Sequence, residues 1–253
     1  MSNDNQKIES RTVIIVATLN EAENLPALLA KIREVLPKTS VIVVDDNSQD
    51  GTAEWLKVYQ ERDPSFKFLI RKSDRGLGSA TIEGFRAAIR RDSEWVGTFD
   101  ADGSHDPRVL REMLDQIQAG KLENVDVCIG SRYVKNGRIE GWPMTRLIAS
   151  RAVNFVSRWF VGLKAYDNTS ALRLYRVSAL REIDIDSITN LGYGYLQEIL
   201  FVLQENGSSF REFPITFRDR EKGKSKMTLA VAISVFWSLL RLSLRRIRRT
   251  FSR

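Results

Sequence analysis

The sequence Gly97-Thr98-Phe99-Asp100-Ala101-Asp102-Gly103-Ser104-His105 is an apolar, strand-like run that ends in two carboxylates. Side chains of a β-strand alternate between its faces, so Asp100 and Asp102 can converge on one point just beyond the strand. Two carboxylates there suit a hard divalent cation such as Mg²⁺ or Mn²⁺, especially one that already carries a diphosphate. Asp-x-Asp triplets also occur on solvated turns, so the rest of the chain has to decide between the two interpretations.

Strands and helices alternate along the first half of the chain. Apolar runs predict strands over 13–17, 41–44, 66–71, 125–130 and up to residue 100, and helical spacing predicts helices over 20–35, 52–59, 79–90 and 107–119. This alternation predicts an α/β fold with a mainly parallel sheet covered by helices on both faces. Ligands of such sheets bind beyond the carboxyl ends of the strands, where Glu21, Asp46 and Asp102 all fall.

Composition and charge narrow the class of protein. The 253 residues, 43% apolar and 28% charged, are typical of a globular protein with one large domain and an appendage. The net charge is +7, but residues 222–253 carry nine Lys or Arg and no acidic residue. Because the net positive charge comes from the tail alone, a local contact with phosphates or anionic lipid is favoured over a nucleic-acid-binding surface.

Cysteine use and the N-terminus suggest a compartment. Cys128 is the only cysteine and lies in an apolar run, so an internal disulfide is excluded and a buried, inert thiol is expected. That fits a reducing compartment. The first residues are polar and lack the charged-then-apolar pattern of a secretory signal, so we expect the main domain in the cytosol.

Short motifs follow one another along most of the chain. They are Thr18-Leu19-Asn20-Glu21, Val44-Asp45-Asp46-Asn47-Ser48, Gly76-Leu77-Gly78, Asp100-Ala101-Asp102, Gly130-Ser131-Arg132-Tyr133, Gly141-Trp142-Pro143, Asp167-x-Thr169-Ser170, Gly192-Tyr193, and Asp219-Arg220 with Gly223 and Lys226. In this order, over roughly 11–226, the chain resembles the family-2 glycosyltransferases, and within them the dolichol-phosphate (polyprenol-phosphate) mannosyltransferases. The resemblance implies a GT-A-like nucleotide-diphospho-sugar transferase fold, with a Rossmann-like, mainly parallel sheet and a catalytic domain over 1–226.

The resemblance also implies where the donor nucleotide binds. It assigns base and ribose to residues at the ends of the first two strands, namely Ala17, Leu19, Glu21, Val44 and Asp46. Carboxylates suit guanine N–H groups and ribose hydroxyls. From the residues alone, Glu21 could instead complement a helix N-terminus and Asp46 could form a turn. The family usually has Pro and Tyr where Ala17 and Leu19 stand, so we expect different packing against the base.

For the donor diphosphate, the resemblance implies a lining of Asp100, Ala101 and Asp102. The implied cofactor is Mg²⁺ or Mn²⁺, with Asp102 as a direct ligand and Asp100 and Ser104 as further contacts. His105 is the only histidine, and a supporting role is favoured over a general base. An acceptor phosphate monoester, with a second pKa near about 6, is already mostly a dianion at neutral pH.

Three cations are expected around phosphates, Arg132, Arg220 and Lys226, and with Asp102 they form the predicted catalytic set. The family pattern places Arg220 and Lys226 on a loop that closes over the donor and excludes water. A solvated charged loop is the alternative for this polar segment.

Helical spacing predicts an amphipathic helix over 144–163, with Arg146 and Ser150 off its apolar stripe. The resemblance assigns this helix to a lipid-phosphate acceptor, which Arg146, Ser150 and Arg132 would hold. A helix that packs on the core and exposes a basic side remains the alternative.

The tail, 227–253, is predicted to be a helix that is first apolar and then basic. Its uncharged run over 229–240 is shorter than the roughly 20 residues that cross a bilayer. Apolar and arginine-rich portions suit a membrane surface, with Phe236 and Trp237 at the interface. A helix docked on the domain, or one that contacts a small membrane-protein subunit, is the alternative.

With these features, the resemblance implies a metal-assisted, inverting transfer of mannose from GDP-mannose to dolichyl or polyprenyl phosphate. The product would serve glycan or glycolipid synthesis. The enzyme would be peripheral, on the cytosolic face of the endoplasmic reticulum or a bacterial plasma membrane, with no nucleic-acid partner. The alternatives are a polyprenyl-phosphate glucosyltransferase that uses UDP-glucose, and a noncatalytic membrane or nucleic-acid adaptor on the same fold.

Overall fold

The structure is a computed structural model that describes residues 3–219 and 229–251. The first half contains α1 (Asn3–Ser10), β1 (Thr12–Thr18), α2 (Leu25–Val35), β2 (Ser40–Asp45), α3 (Thr52–Arg62), β3 (Phe66–Ile70), α4 (Leu77–Ile89), β4 (Trp95–Asp100) and α5 (Pro107–Gln118). The second half contains β5 (Val127–Ser131), β6 (Arg138–Glu140), α6 (Met144–Val156), β7 (Arg173–Arg176), α7 (Val177–Arg181), α8 (Tyr195–Glu205), β8 (Phe210–Pro214), β9 (Thr216–Arg218) and α9 (Leu229–Phe251). A π-helical turn, Ser157–Val161, continues α6, and a 3₁₀ turn, Ile185–Ser187, precedes α8.

Seven strands form the central sheet, in the order β3-β2-β1-β4-β7-β5-β8. β1 pairs in parallel with β2 and β4, so Ala17 lies beside Val44 on one side and Asp100 on the other. β7 runs antiparallel to both of its neighbours, and β6 and β9 form a separate parallel pair. The prediction of an α/β fold with a mainly parallel sheet is confirmed, and the antiparallel strand β7 is an addition to it.

Helices bury both faces of the sheet. On β1, Val13 and Ile15 pack in the apolar layer that contains α4 and α8. Ile14 and Val16 pack in the opposite layer, against α2 and α5. Because both faces are covered, the central strands are apolar without alternation, and polar residues collect at the strand ends.

The loop after β1 is longer than the spacing predicts. α2 begins at Leu25, whereas helical spacing predicts a helix from residue 20. Asn20 has a left-handed backbone with φ of 52°, and its amide donates to Ser48 Oγ at 2.7 Å. The Glu21 carbonyl accepts the amide of Asn24 at 3.0 Å. Glu21 therefore lies in a turn at the sheet edge and not in the first turn of a helix.

α9 packs lengthwise on the domain. Its side chains Val235, Leu239 and Leu242 are buried, and the Arg246 guanidinium donates to the carbonyls of Trp159 and Phe160 at 3.4 and 3.2 Å. A cation in that place satisfies carbonyls left free at the end of the π-helical turn. Among the described helices, none combines the length and the apolar character needed to span a bilayer.

Candidate active site

A cavity of about 670 Å³ opens beyond the carboxyl ends of β1, β2 and β4 and extends between α6 and α9. Ten of the predicted site residues line it: Ala17, Leu19, Glu21, Asp46, Asp100, Ala101, Asp102, Arg132, Arg146 and Ser150. The structure therefore brings the expected donor-side and acceptor-side residues into one continuous space.

Among the predicted residues within 3–219 and 229–251, Val44 and Ser104 do not line the cavity. Val44 is fully buried in the apolar layer beneath the sheet edge, where strand alternation turns its side chain into the core. Ser104 is buried just behind Asp102. Arg220 and Lys226 lie outside the described residues.

The two aspartates of the opening motif meet at the cavity wall. Asp100 ends β4, and a turn at Gly103, with φ of 72°, follows Asp102. The Ser104 amide donates to Asp102 Oδ1 at 3.1 Å, which fixes that carboxylate against its own loop. The Ser104 hydroxyl is buried and has no hydrogen-bond partner among the described residues. The two carboxylates at the cavity wall are donors that fit a hard divalent cation.

The protein offers these groups as a partial coordination shell. Within residues 3–219 and 229–251, no three His, Cys, Asp or Glu side chains are grouped as metal ligands. A cation on Asp100 and Asp102 would therefore take its other oxygen ligands from water or from a bound substrate.

His105 packs beside this pair. Its ring is buried, lies edge-to-face on Phe217 at 5.3 Å between centroids, and has Nε2 3.5 Å from Asp100 Oδ2. Neither ring nitrogen has a hydrogen-bond partner in the described part of the chain. The imidazole thus forms part of the wall that supports Asp100.

Arg132 is held by a buried carboxylate. Its Nε donates to Asp167 Oδ2 and one Nη to Asp167 Oδ1, both at 2.7 Å, and the same Nη donates to Thr169 Oγ1 at 2.6 Å. Burial opposes the charge of Arg132, but Asp167 outweighs it and raises the pKa of the guanidinium. Burial likewise opposes ionisation of Asp167, and Arg132 holds the pKa of that carboxyl below its usual value. Both groups are therefore charged at neutral pH.

Aromatic rings join Arg132 to the other predicted acceptor residues. The Trp142 ring centroid lies 5.2 Å from the Arg132 guanidinium carbon and 4.1 Å from that of Arg146. The Tyr133 hydroxyl donates to Ser150 Oγ at 2.7 Å. Arg146 also donates to Asp219 Oδ1 at 2.9 Å. Cation–π contacts hold the two like charges close together in one region of the cavity.

Asp46 is bound by a residue that sequence reasoning missed. Arg71, at the end of β3, forms an ion pair with Asp46 Oδ1, and the Gly76 amide donates to Asp46 Oδ2 at 2.7 Å. Gly76 has φ of 145°, and a Cβ there would lie 2.3 Å from the Leu191 carbonyl oxygen. Asp46 therefore joins the loop before α4 to the sheet edge, and it also lines the cavity. The only sequence signal for Arg71 is its position at the end of the strand predicted over 66–71.

The far end of the cavity is apolar. Ala149 and Val153 of α6, Leu196 of α8 and Val235 of α9 line it. Outside, the two helices expose large apolar side chains: Met144, Ile148, Phe155, Ile233, Phe236, Trp237, Leu240, Leu244 and Ile247, with Trp159 and Phe160 of the π-helical turn. Trp159 is 70% exposed and Trp237 59%. Much of the apolar stripe predicted over 144–163 therefore faces outward and not into the core.

The amino-acid sequence matches the family described as Glycosyl transferase family 2 over residues 13–184. An undecaprenyl-phosphate mannosyltransferase of Micrococcus luteus is 39% identical over 86% of this chain and 88% of its own length. A polyprenol monophosphomannose synthase of Mycolicibacterium smegmatis is 38% identical over 86% of this chain and 81% of its own length.

Solved structures share the fold at much lower identity. Glucosyl-3-phosphoglycerate synthase from Mycobacterium tuberculosis, in complex with Mn²⁺, UDP and phosphoglyceric acid, superposes with a TM-score of 0.70 at 15% identity, over 94% of this chain and 82% of that one. A mannosyltransferase from Pyrobaculum calidifontis, in complex with GDP-Man and Mn²⁺, gives a TM-score of 0.59 at 17% identity, over 94% of this chain and 64% of that one.

Proposed function

The chain belongs to glycosyl transferase family 2, and on that premise we propose that it transfers mannose from GDP-mannose to a polyprenyl or dolichyl phosphate. The observation that carries the proposal is one continuous cavity lined by the carboxylates Asp46, Asp100 and Asp102, by the arginines Arg132 and Arg146, and by apolar side chains of α6 and α9. A nucleotide sugar and a lipid phosphate need these three environments.

The sheet order supports the proposal. Along the edge, Asp46 follows β2, Glu21 follows β1, Asp102 follows β4 and Arg132 follows β5. We place the base and ribose beside the first two of these residues, the diphosphate beside the third and the acceptor phosphate beside the fourth. This is the order of the same groups in the reaction. Two relatives support the choice of sugar and acceptor. One is named an undecaprenyl-phosphate mannosyltransferase and the other a polyprenol monophosphomannose synthase.

Asp100 and Asp102, with Ser104 behind them, would hold Mg²⁺ or Mn²⁺ together with the donor diphosphate. When bound, the cation would supply positive charge to the diphosphate and so would make GDP a better leaving group. Two fold neighbours solved with Mn²⁺, one with UDP and the other with GDP-Man, support a divalent cation as the cofactor.

Arg132, Arg146 and Ser150 would hold the acceptor phosphate. One phosphate oxygen attacks the anomeric carbon of mannose, the bond from that carbon to the diphosphate oxygen breaks, and its electron pair leaves with GDP. Attack opposite to the leaving group inverts the configuration. The phosphate is already a dianion, so this step needs alignment and electrostatic stabilisation but no general base. Arg220 and Lys226 are proposed as further cations at the donor.

The apolar faces of α6 and α9 would rest on the membrane that contains the lipid acceptor. Both faces are exposed beside the apolar exit of the cavity, and α9 also carries Arg241, Arg245, Arg246 and Arg248. Apolar insertion combined with arginines near anionic headgroups is typical of interfacial helices. We place the enzyme peripherally on the cytosolic face of the membrane, with 227–253 as its surface segment and a small membrane-protein subunit as a possible further partner.

The identity of the donor is tested by transfer with matched sugar nucleotides. The purified full chain is incubated with polyprenyl phosphate, Mn²⁺ and radiolabelled GDP-mannose or UDP-glucose. We expect label in the lipid product from GDP-mannose, and at least about 100-fold less from UDP-glucose, since buried polar contacts to the wrong base are left unpaired. The reverse preference would establish the glucosyltransferase alternative. Absence of both transfer and nucleotide-sugar binding would favour the noncatalytic adaptor.

A further inference from the structure

Two buried side chains that line the cavity each carry a polar atom that is unsatisfied within the described residues. Ser170 and Gln197 are each 1% exposed and line the cavity. Ser170 Oγ and Gln197 Oε1 have no hydrogen-bond partner within the described ranges. A buried polar atom left unsatisfied costs free energy, and a bound ligand with complementary groups would recover it.

The surrounding structure fixes the orientation of both groups. Gln197 Nε2 donates to the Asn168 carbonyl at 3.1 Å, which leaves Oε1 as the group available to a ligand. The buried Arg173 guanidinium donates to the same carbonyl at 3.0 Å and to the Leu196 carbonyl at 2.8 Å. These contacts join the segment that carries Ser170 to the helix that carries Gln197. The pair is therefore preorganised before any ligand binds.

The chemistry of the pair selects an uncharged hydroxyl group. Gln197 Oε1 only accepts hydrogen bonds and repels an anion, whereas the Ser170 hydroxyl both donates and accepts. Gln197 Oε1 therefore excludes a phosphate, and an alkyl chain can form hydrogen bonds with neither Gln197 nor Ser170. Sugar hydroxyls donate and accept, and they match both groups.

The position of the pair identifies which sugar. The segment with Ser170 leads into β7, which lies between β4 and β5 in the sheet. The Thr98 hydroxyl donates to the Ala171 carbonyl at 2.6 Å, so this segment runs beside the strand that ends at Asp100. The nucleotide residues Glu21 and Asp46 lie on the opposite side of β4. Between the proposed diphosphate and acceptor-phosphate sites, the donor has only its hexose.

We infer that Ser170 and Gln197 form the subsite that recognises hydroxyl groups of the transferred hexose, and thereby contribute to the choice of sugar. The inference rests on the proposed function, because it takes the donor to be a nucleotide-linked hexose.

The test compares binding of GDP-mannose and of GDP alone by calorimetry with Mn²⁺ present. Ser170→Ala and Gln197→Met remove one polar group each with little change of volume. We expect each to weaken GDP-mannose binding about 10-fold, equivalent to about 1.4 kcal/mol, with GDP binding unchanged. Matched controls are Ser157→Ala and Gln204→Met, which alter buried or half-buried residues that do not line the cavity. The controls are expected to bind both ligands as the wild type does.

Deoxy-mannose analogues of the donor identify the hydroxyl group. The wild type is expected to lose about 10-fold in affinity with one analogue, while the variant that lacks the matching partner loses nothing further with it. Equal weakening of GDP and GDP-mannose binding would show that ribose is contacted or that the role is structural, and would overturn the inference. So would unchanged GDP-mannose binding in both variants, which would mean that water satisfies the pair. If the wild type binds neither ligand, the proposed function fails instead.

Discussion

At the scale of single residues, the site depends on contacts between residues far apart in the chain. Arg132 stands out in the sequence as a phosphate-binding candidate, but its orientation is fixed by Asp167, which is 35 residues away. The motif that contains Asp167 signals that the segment matters and does not reveal the pairing. The same holds for Asp46 and Arg71, because side-chain partners across a sheet edge depend on tertiary structure.

Asp167→Asn should destabilise the protein, since it leaves the buried guanidinium of Arg132 without its counter-charge. We expect a loss of about 3 kcal/mol or more in the free energy of unfolding at pH 7, measured with urea. Asp115→Asn, on the exposed side of α5, is the control and should change it by less than about 0.5 kcal/mol.

The pH dependence of that loss follows from the lowered pKa of Asp167. The ionised carboxylate stabilises the fold at pH values above its usual pKa of 3.8, and this contribution disappears as pH falls through the lower pKa of the folded state. The difference between wild type and Asp167→Asn should therefore shrink in acid. A difference that is small at pH 7, or constant down to the acid transition, would contradict a charged pair.

Asp102→Asn should abolish most metal-dependent transfer with the fold intact. The amide keeps an oxygen that can accept the Ser104 amide, but it loses the charge that binds a cation. We expect a decrease in kcat of at least about 100-fold, with an unchanged urea midpoint. Transfer within a few-fold of wild type would remove Asp102 from the metal site.

At the scale of elements, periodicity predicts long elements well and short ones poorly. Three elements, β2, β4 and α5, lie within a few residues of their predicted positions, because their apolar runs are long enough to be recognised. β6 and β9 have three residues each, too few for a periodic signal, and the antiparallel pairing of β7 depends on its neighbours. Periodicity predicts an apolar stripe over 144–163, but only the packed structure shows that much of it faces outward.

The outward faces of α6 and α9 lead to a membrane-binding prediction. Replacing both Phe236 and Trp237 with Ser should weaken partition onto phosphatidylglycerol vesicles at least about 10-fold, because each aromatic side chain contributes about 1.5–3 kcal/mol when buried. Val58→Ser, at an exposed apolar position of α3, is the control. Cosedimentation with vesicles measures the effect. Equal binding of the double variant and the wild type would contradict an interfacial role of α9.

At the scale of the whole molecule, one cavity connects a polar region with an apolar region. Its polar end lies at the sheet edge, where strand ends bring acids and arginines together. Its apolar end lies between the helices α6 and α9. The sequence predicts the acids because they follow strands, and it predicts two amphipathic helices. The joining of the two parts depends on α9 packing against α8 and the π-helical turn, which no local pattern reveals.

The most direct test of the account is transfer across this cavity from an aqueous donor to a lipid. The purified full chain is incubated with radiolabelled GDP-mannose, Mn²⁺ and polyprenyl phosphate in phosphatidylglycerol vesicles, and label is followed into the organic extract. The account predicts organic-soluble label in equal amount to the GDP released, dependent on both the metal ion and the lipid phosphate. Tight binding of GDP-mannose without any labelled lipid would contradict it.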